Sequence, residues 1–506
     1  MKNKNIIKIL IGCFSFATML LTSCEGILEQ NPYSQISDEQ FWKTPSDAAS
    51  GVAAIYDGMQ RTYSSKYLPW GEFRADNFNR NATNTQANFI ELVNNTLSPN
   101  NSTALRWDEL YKMIARANLA IENIPKINGV NRNLLAEAYA VRAFAYFHAI
   151  RVWGDVPLFT EPVKGLDGNL YRPRTSADEI MTKVILPDLQ QAEALMIEPA
   201  NKFRFSKGSV WSLQAEVYMW LKDYAKAKVA LDKIRTSGSY SLTTTREAWS
   251  KMFINEGPAN GIYNKVMDGP ELILSIRYDA TDATASQDRS PVNSTYMNGI
   301  PAFVLNSTFE FKWFSRFPTD SAIWISKYRT FPLRKDAAGR NFFGDWRYVE
   351  SREAGAALTF GTRLAKFRKA QVNAIDDTDL HIFRYANTIL LLAEAENQLG
   401  NTSAALGYLN QIRTARQLPT VPANSPEVAT KGALEDLILE ERQYELLGEG
   451  VRWWDLRRTG KAIEVMNAAR ATDPSYRKLT EGTLLFPIFD RHLIDNSSLT
   501  QNEAYK

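Results

Sequence analysis

The segment from Leu213 to Ile234 occurs twice in this chain, because it superposes without a gap on Leu391 to Ile412. Leu213, Leu221 and Leu231 match Leu391, Leu399 and Leu409; Ala215 and Ala227 match Ala393 and Ala405; Glu216 matches Glu394 and Ile234 matches Ile412. The apolar positions recur at helical spacing on either side of a turn residue, Asp223 in one copy and Asn401 in the other. Each copy therefore predicts two helices folded back on one another. A hairpin of this kind cannot bury its apolar face alone, so the chain is expected to stack several of them.

Small alanines where the helices cross, and a Gly, Asp or Asn turn between them, resemble the tetratricopeptide hairpin. The expected fold class is mostly α: a tetratricopeptide-like helical hairpin scaffold with long irregular insertions. Further helices are legible from their ends. Thr44-Pro45-Ser46-Asp47 supplies an N-cap, a proline at the first helical position and an acid in the first turn, ahead of an apolar stripe through Ala48, Val52, Ile55 and Met59. A second helix is predicted over Leu105 to Ile124, closed by Pro125. A third runs from Leu134 to about Trp153 and is apolar nearly all round, so it should be buried between neighbours. This scaffold should occupy about 38–240 and 380–460.

Between the two repeat copies the texture changes. From about Thr243 to Asp379 helical periodicity is weak, Gly, Pro, Asn and Asp recur, and Tyr296 to Tyr348 holds 14 aromatics in 53 residues. It predicts an ordered insertion laid over the scaffold, and long irregular segments inside compact domains tend to carry function. A smaller irregular stretch, Tyr63 to Asn101, is expected to interrupt the first helix pair and to share one surface with the larger insertion.

The N-terminus fixes the compartment. Lys2, Lys4 and Lys8 precede an apolar run from Ile9 to Leu21, and Leu21-Thr22-Ser23-Cys24 closes it, which is the layout of a cleavable export signal. The run is shorter than the ~20 residues a membrane span needs. We read 1–23 as a lipoprotein signal peptide and Cys24 as the lipidated residue; an ordinary signal peptide with Cys24 a bystander is the alternative. Residues 24–506 are expected to form a single domain. Cys13 lies in the signal, so the remainder keeps one cysteine and no internal disulfide. The formal charge of +3 includes the three signal lysines, leaving the rest near neutrality. That removes the basic footprint of a nucleic-acid-binding protein.

Catalytic motifs are absent. His148, His381 and His492 are isolated, no Walker A loop or Gly-x-Ser-x-Gly elbow occurs, and no cofactor is indicated. Asp376-Asp377-x-Asp379 lacks the glycine and distal glutamate of a calcium loop. The densest motif is Glu441-Arg-Gln-Tyr-Glu445 leading through Gly448-Glu449-Gly450 to Arg452-Trp-Trp-Asp455-Leu-Arg-Arg458. Glu449 and Arg452, and Arg452 and Asp455, stand at helical pair spacing, so the motif reads as structural.

Taken together with Arg142-Ala-Phe-Ala-Tyr-Phe147, Val152-Trp-Gly-Asp-Val-Pro-Leu158, Arg174-Thr-Ser-Ala-Asp-Glu179, Phe383-Arg-Tyr385, Leu485-Phe-Pro-Ile488 and Gln501-Asn502, this motif resembles the SusD/RagB family of surface nutrient-binding lipoproteins. The resemblance departs at Leu418-Pro419 and in the missing proline after Asn502. It implies a non-enzymatic protein on the outer face of an outer membrane, anchored there by lipid. Such a protein captures an oligosaccharide and delivers it to a SusC-like TonB-dependent transporter. A peptide-binding RagB-like lipoprotein is the nearest alternative; a lipid-anchored glycoside hydrolase and a pure tetratricopeptide adaptor are more distant ones. Ligand is expected where the two irregular segments meet, with Tyr296, Trp313 and Trp324 as stacking rings and Trp70, Asp76, Asn77 and Arg80 as contacts from the first segment.

Overall fold

A computed structural model describes residues 41–163, 170–197, 201–254, 267–279, 290, 292, 296, 300–336, 338–353, 360–367 and 377–506. The signal segment, Cys24 and Asp376 lie outside the described residues.

Helix α1 (Pro45–Gly71) begins on the capping box its sequence predicts: the Thr44 N–H donates to the Asp47 carboxylate at 2.7 Å, and the Asp47 N–H donates to the Thr44 hydroxyl oxygen at 3.2 Å. It does not stop near Met59. Tyr63, Tyr67 and Trp70 continue the apolar stripe, and Tyr63 meets Phe144 at 5.2 Å while Trp70 meets Trp153 at 5.3 Å. Tyr63 to Gly71, expected to be irregular, is therefore helical. After strand β1 (Phe78–Arg80) come α2 (Asp108–Asn123) and α3 (Arg132–Trp153). Almost every residue of α3 is buried, as its all-round apolar face requires.

Helix α4 (Leu186–Leu195) packs on α3 and leads to the first repeat copy, α5 (Lys207–Trp220) and α6 (Tyr224–Thr236). The second copy is α8 (Tyr385–Gln398) and α9 (Thr402–Ala415), and α6 packs directly on α8. Helices of the two copies start at equivalent positions, and Leu213, Ala215, Ala227, Leu231 and Ile234 are buried like their counterparts. Leu221 and Leu399 are not; both end the first helix and stand exposed. The turn that follows uses a left-handed residue in each copy, Lys222 at φ +59° and Gly400 at φ +87°.

The insertion leaves and rejoins the scaffold through a two-stranded antiparallel ladder, β2 (Leu272–Ile276) against β4 (Leu380–Arg384). Within it, β3 (Phe303–Leu305) pairs antiparallel with β1, Phe78 opposite Leu305. The two irregular segments thus meet as expected. Helix α7 (Ser307–Arg316) follows β3, and the C-terminal part continues with α10 (Lys431–Glu445), α11 (Arg452–Arg458) and α12 (Ala462–Ala469).

The Glu/Arg motif builds a buried ion lattice, with partners other than those its spacing suggests. Helix α11 starts only at Arg452, so Glu449 sits in the preceding loop and turns inward. It accepts from Arg384 Nε and Nη2, both at 2.7 Å, and from Lys366 at 2.6 Å. Asp455 receives Arg442 Nε at 2.8 Å and Arg458 Nη2 at 2.7 Å. Arg452 reaches Asp76. Trp453 and Trp454 are buried, Trp454 lying near Trp220 of the first repeat. At the far end the Asn502 amide donates to the Trp153 and Phe486 carbonyls and accepts from Arg174, tying the C-terminal segment to the chain that follows α3.

Candidate functional site

A cleft of about 480 Å³ opens between α7, α10 and the α11–α12 corner. Its floor is polar. Arg452 Nε and Nη2 donate to the two Asp76 oxygens at 2.8 and 3.0 Å, and Gln443 Nε2 donates to Asp76 at 3.0 Å and to Asn77 Oδ1 at 2.8 Å. Burial works to raise the Asp76 carboxyl, and the Arg452 guanidinium beside it outweighs that effect, holding the group below the usual carboxylate range. Asn306 accepts from the Thr308 N–H at 2.9 Å, capping α7 and setting Thr308 at the cleft wall.

The rim is laced by ion pairs. Lys312 of α7 meets Glu440 of α10 at 2.7 Å, Lys461 meets Asp436, and Arg316 meets Glu427. Leu437, Leu439 and Val465 supply an apolar wall. One helical step outside the mouth, Phe311 is 54% exposed, and Phe360 buttresses it edge-on at 5.4 Å. The Phe360 loop is itself pinned, because buried Glu310 accepts from the Gly361 and Thr362 N–H groups at 2.7 and 3.1 Å. Thr308, Phe311 and Lys312 share one face of α7. The site offers an amphipathic surface with paired charges and an exposed ring beside it, suited to holding a ligand.

The expected stacking rings are elsewhere. Trp70, Tyr296, Trp313 and Trp324 are each no more than 1% exposed. Trp70 donates to the Ala104 carbonyl at 2.7 Å, and Trp313 donates to Asp345 at 3.0 Å while stacking on Tyr444. Tyr296 stacks on Phe78, and Trp324 lies beneath the Arg334 guanidinium. Tyr296, Trp313 and Trp324 form the insertion's own core, which a segment so poor in aliphatic helix needs in order to pack, whereas Trp70 belongs to the scaffold core between α1 and α3. Asp76 is at the cleft floor. Asn77, 1% exposed, supports the floor from behind by donating to Glu72 at 2.6 Å. Arg80 ends β1 on the surface. The residues missed were Thr308, Phe311, Lys312, Glu440 and Gln443. A helical wheel over 307–316 holds the signal for Phe311, which falls opposite the buried pair Phe309 and Trp313.

Among the described residues no group of three or more His, Cys, Asp or Glu side chains is placed to hold a metal, and no helix is long and apolar enough to cross a membrane. The fold and cleft define a class: a mostly helical, tetratricopeptide-like binding protein. The SusD family model matches residues 306–505, and a model described as starch-binding associating with outer membrane matches residues 27–219. SusD-like protein P38 of Formosa agariphila is 43% identical over 501 residues, covering 96% of each chain, and SusD-like protein P25 of the same organism is 25% identical over 536. The chain belongs to the SusD family. Among solved structures, B. fragilis NanU superposes with a TM-score of 0.69 at 22% identity over 94% of this chain and all of that one. A SusD superfamily protein from Bacteroides vulgatus reaches 0.71 at 18% identity, over 92% and 99%. Membership makes this a binding protein of nutrient uptake associated with the outer membrane, and no catalytic family is indicated.

Proposed function

We propose that this protein captures an oligosaccharide outside the cell and passes it to a SusC-like TonB-dependent transporter, held at the outer membrane by lipid on Cys24. The observation that supports the reading best is the cleft between α7 and α10. Its volume falls within the ~300–1,000 Å³ of small-ligand sites, and it joins an apolar wall to a few oriented polar groups. Sugar rings present C–H faces to aromatic planes, and Phe311, exposed one helical step outside the mouth, supplies such a plane. Thr308, Lys312 and Gln443 then answer ring hydroxyls, with Asp76 and Arg452 fixing the floor.

Calorimetry of the mature, lipid-free chain against a panel of oligosaccharides and a peptide mixture tests this reading. At least one oligosaccharide should bind, and Phe311→Ala should weaken it at least ~10-fold, as loss of an aromatic anchor does elsewhere. Binding of peptides alone would overturn it. The anchor is tested separately: Cys24→Ala should leave the membrane fraction, and mild detergent extraction of the native protein should bring a β-barrel protein with it.

A further inference from the structure

A second cleft, of about 250 Å³, lies between α1 and β2 and shares no lining residue with the first. Its floor is apolar, made by Met59, Leu274 and Ile276, all buried. Tyr56 and Phe203, both half-buried, are its aromatic walls. Each ring is held by a cation, Arg204 5.2 Å from the Tyr56 centroid and Lys202 5.2 Å from that of Phe203. The Tyr56 hydroxyl accepts from the Phe205 N–H at 2.8 Å, which fixes that wall to the backbone carrying Phe203.

Polar groups stand around the apolar floor in a fixed arrangement. The Asp57 carboxylate receives Arg61 Nε at 2.9 Å and Arg116 Nη1 at 2.7 Å, so its charge is compensated while part of the group stays exposed. Gln60 donates its amide N–H to the Arg277 carbonyl at 2.8 Å, which ties α1 to the end of β2 and leaves its amide oxygen as an acceptor. Arg277 stands exposed at the rim, its guanidinium paired with Asp279. Acceptors and donors thus flank an apolar surface with room for one ring rather than a chain.

We infer that this cleft is a second saccharide-binding site, taking a single pyranose of a glycan through its C–H face on Phe203, Met59 and Ile276 and its hydroxyls on Asp57, Gln60 and Arg277. The choice of a sugar as ligand rests on the function proposed above; the site itself stands on its own residues. Two separate contacts on one chain would raise the retention of a branched or long polymer by effective concentration, with no need for either to be tight.

Saturation-transfer NMR on the mature, lipid-free chain with the methyl glycosides of glucose, galactose and xylose tests it. At least one should respond on the wild type and on Phe311→Ala. On Phe203→Ala the response should fall at least ~10-fold, and Phe203→Tyr, which keeps the ring, should restore it. A response unchanged by Phe203→Ala, or lost in Phe311→Ala alone, overturns the second site and leaves the first standing. No response from any of the three on the wild type also overturns it, while the oligosaccharide panel decides the proposed function independently.

Discussion

Asp76 and Arg452 form a two-point ion pair at the cleft floor although 376 residues separate them in the chain. One lies in the first irregular segment, the other opens α11, and each is at least nine-tenths buried. Removing one partner strands a buried charge, which costs about 3–5 kcal/mol, whereas removing both costs less. Arg452→Met should therefore destabilise by about 3 kcal/mol or more in urea unfolding. The Asp76→Leu/Arg452→Met double variant should cost clearly less than the two singles added. Additive losses would show that the two residues act independently.

Glu445 sits at the centre of the ion lattice. It accepts from Arg347 at 2.8 Å, from Arg384 at 3.0 Å and from Arg416 Nε and Nη2 at 2.9 and 2.8 Å, and it is fully buried. Burial opposes its charge, and Arg416 and Arg384 more than reverse that, holding the carboxyl well below its ordinary range. Glu445→Gln keeps the shape and removes the charge, so Arg347, Arg384 and Arg416 each lose one of the carboxylates paired with them. A loss of at least ~3 kcal/mol in chemical denaturation is expected; a change below ~1 kcal/mol would mean that the lattice redistributes around the amide.

Protonation of histidine should set the mildly acidic limit of stability. His381 is buried, with Ser275 2.8 Å from its Nδ1 and the Met252 carbonyl 2.7 Å from its Nε2, and burial pulls it from 6.5 down to about 4. The unfolded chain takes up this proton near pH 6.5 and the folded one only near 4. Stability from this group is thus fully present above pH 6.5 and lost as pH falls toward 4, by up to about 3 kcal/mol. His148 and His492 shift in the same direction, again chiefly by burial. Burial shifts Glu72 the opposite way, up to about 7, and works against this trend. Urea midpoints measured from pH 7 to 4.5 should fall less steeply for His381→Asn, with an uptake smaller by about one proton. Parallel curves would contradict the assignment.

The repeat turns differ by one residue that matters. Lys222 and Gly400 hold equivalent left-handed positions, and only glycine enters that region without a Cβ penalty. Lys222→Gly should raise stability by about 0.5–1 kcal/mol in thermal or urea unfolding, since relief of the left-handed strain of ~1–2 kcal/mol exceeds the added freedom of the unfolded chain. Gly400→Ala should act in the opposite direction. Lower stability in Lys222→Gly would show that Lys222 contributes more than its conformation costs.

The repeated hairpin, the capped start at Pro45 and the buried helix ending at Trp153 were legible because each is encoded within about 20 residues by spacing and end signals. The continuation of α1 past Met59 was less so: Tyr63, Tyr67 and Trp70 carry its stripe with Ser64, Ser65 and Lys66 between the first two and Pro69 just before the last, and their partners come from α3. The site was legible only in outline. The meeting of the two irregular segments was expected, and Asp76, named as a ligand contact, stands at the cleft floor paired with Arg452. Trp70, Tyr296, Trp313 and Trp324 show the limit, because an aromatic residue type is the same whether it forms a core or a platform.

The sequence by itself determined the helical class, the repeat, the family motif and the absence of catalytic patterns, since these depend on local periodicity and on residue identity. Tertiary structure alone decided that Glu449 turns to Arg384 and Lys366 rather than to Arg452, and that Phe311 rather than Trp313 faces solvent. The physical reason is common to both. A charge or a ring takes its role from what surrounds it after folding, and here those surroundings come from segments far apart in the chain.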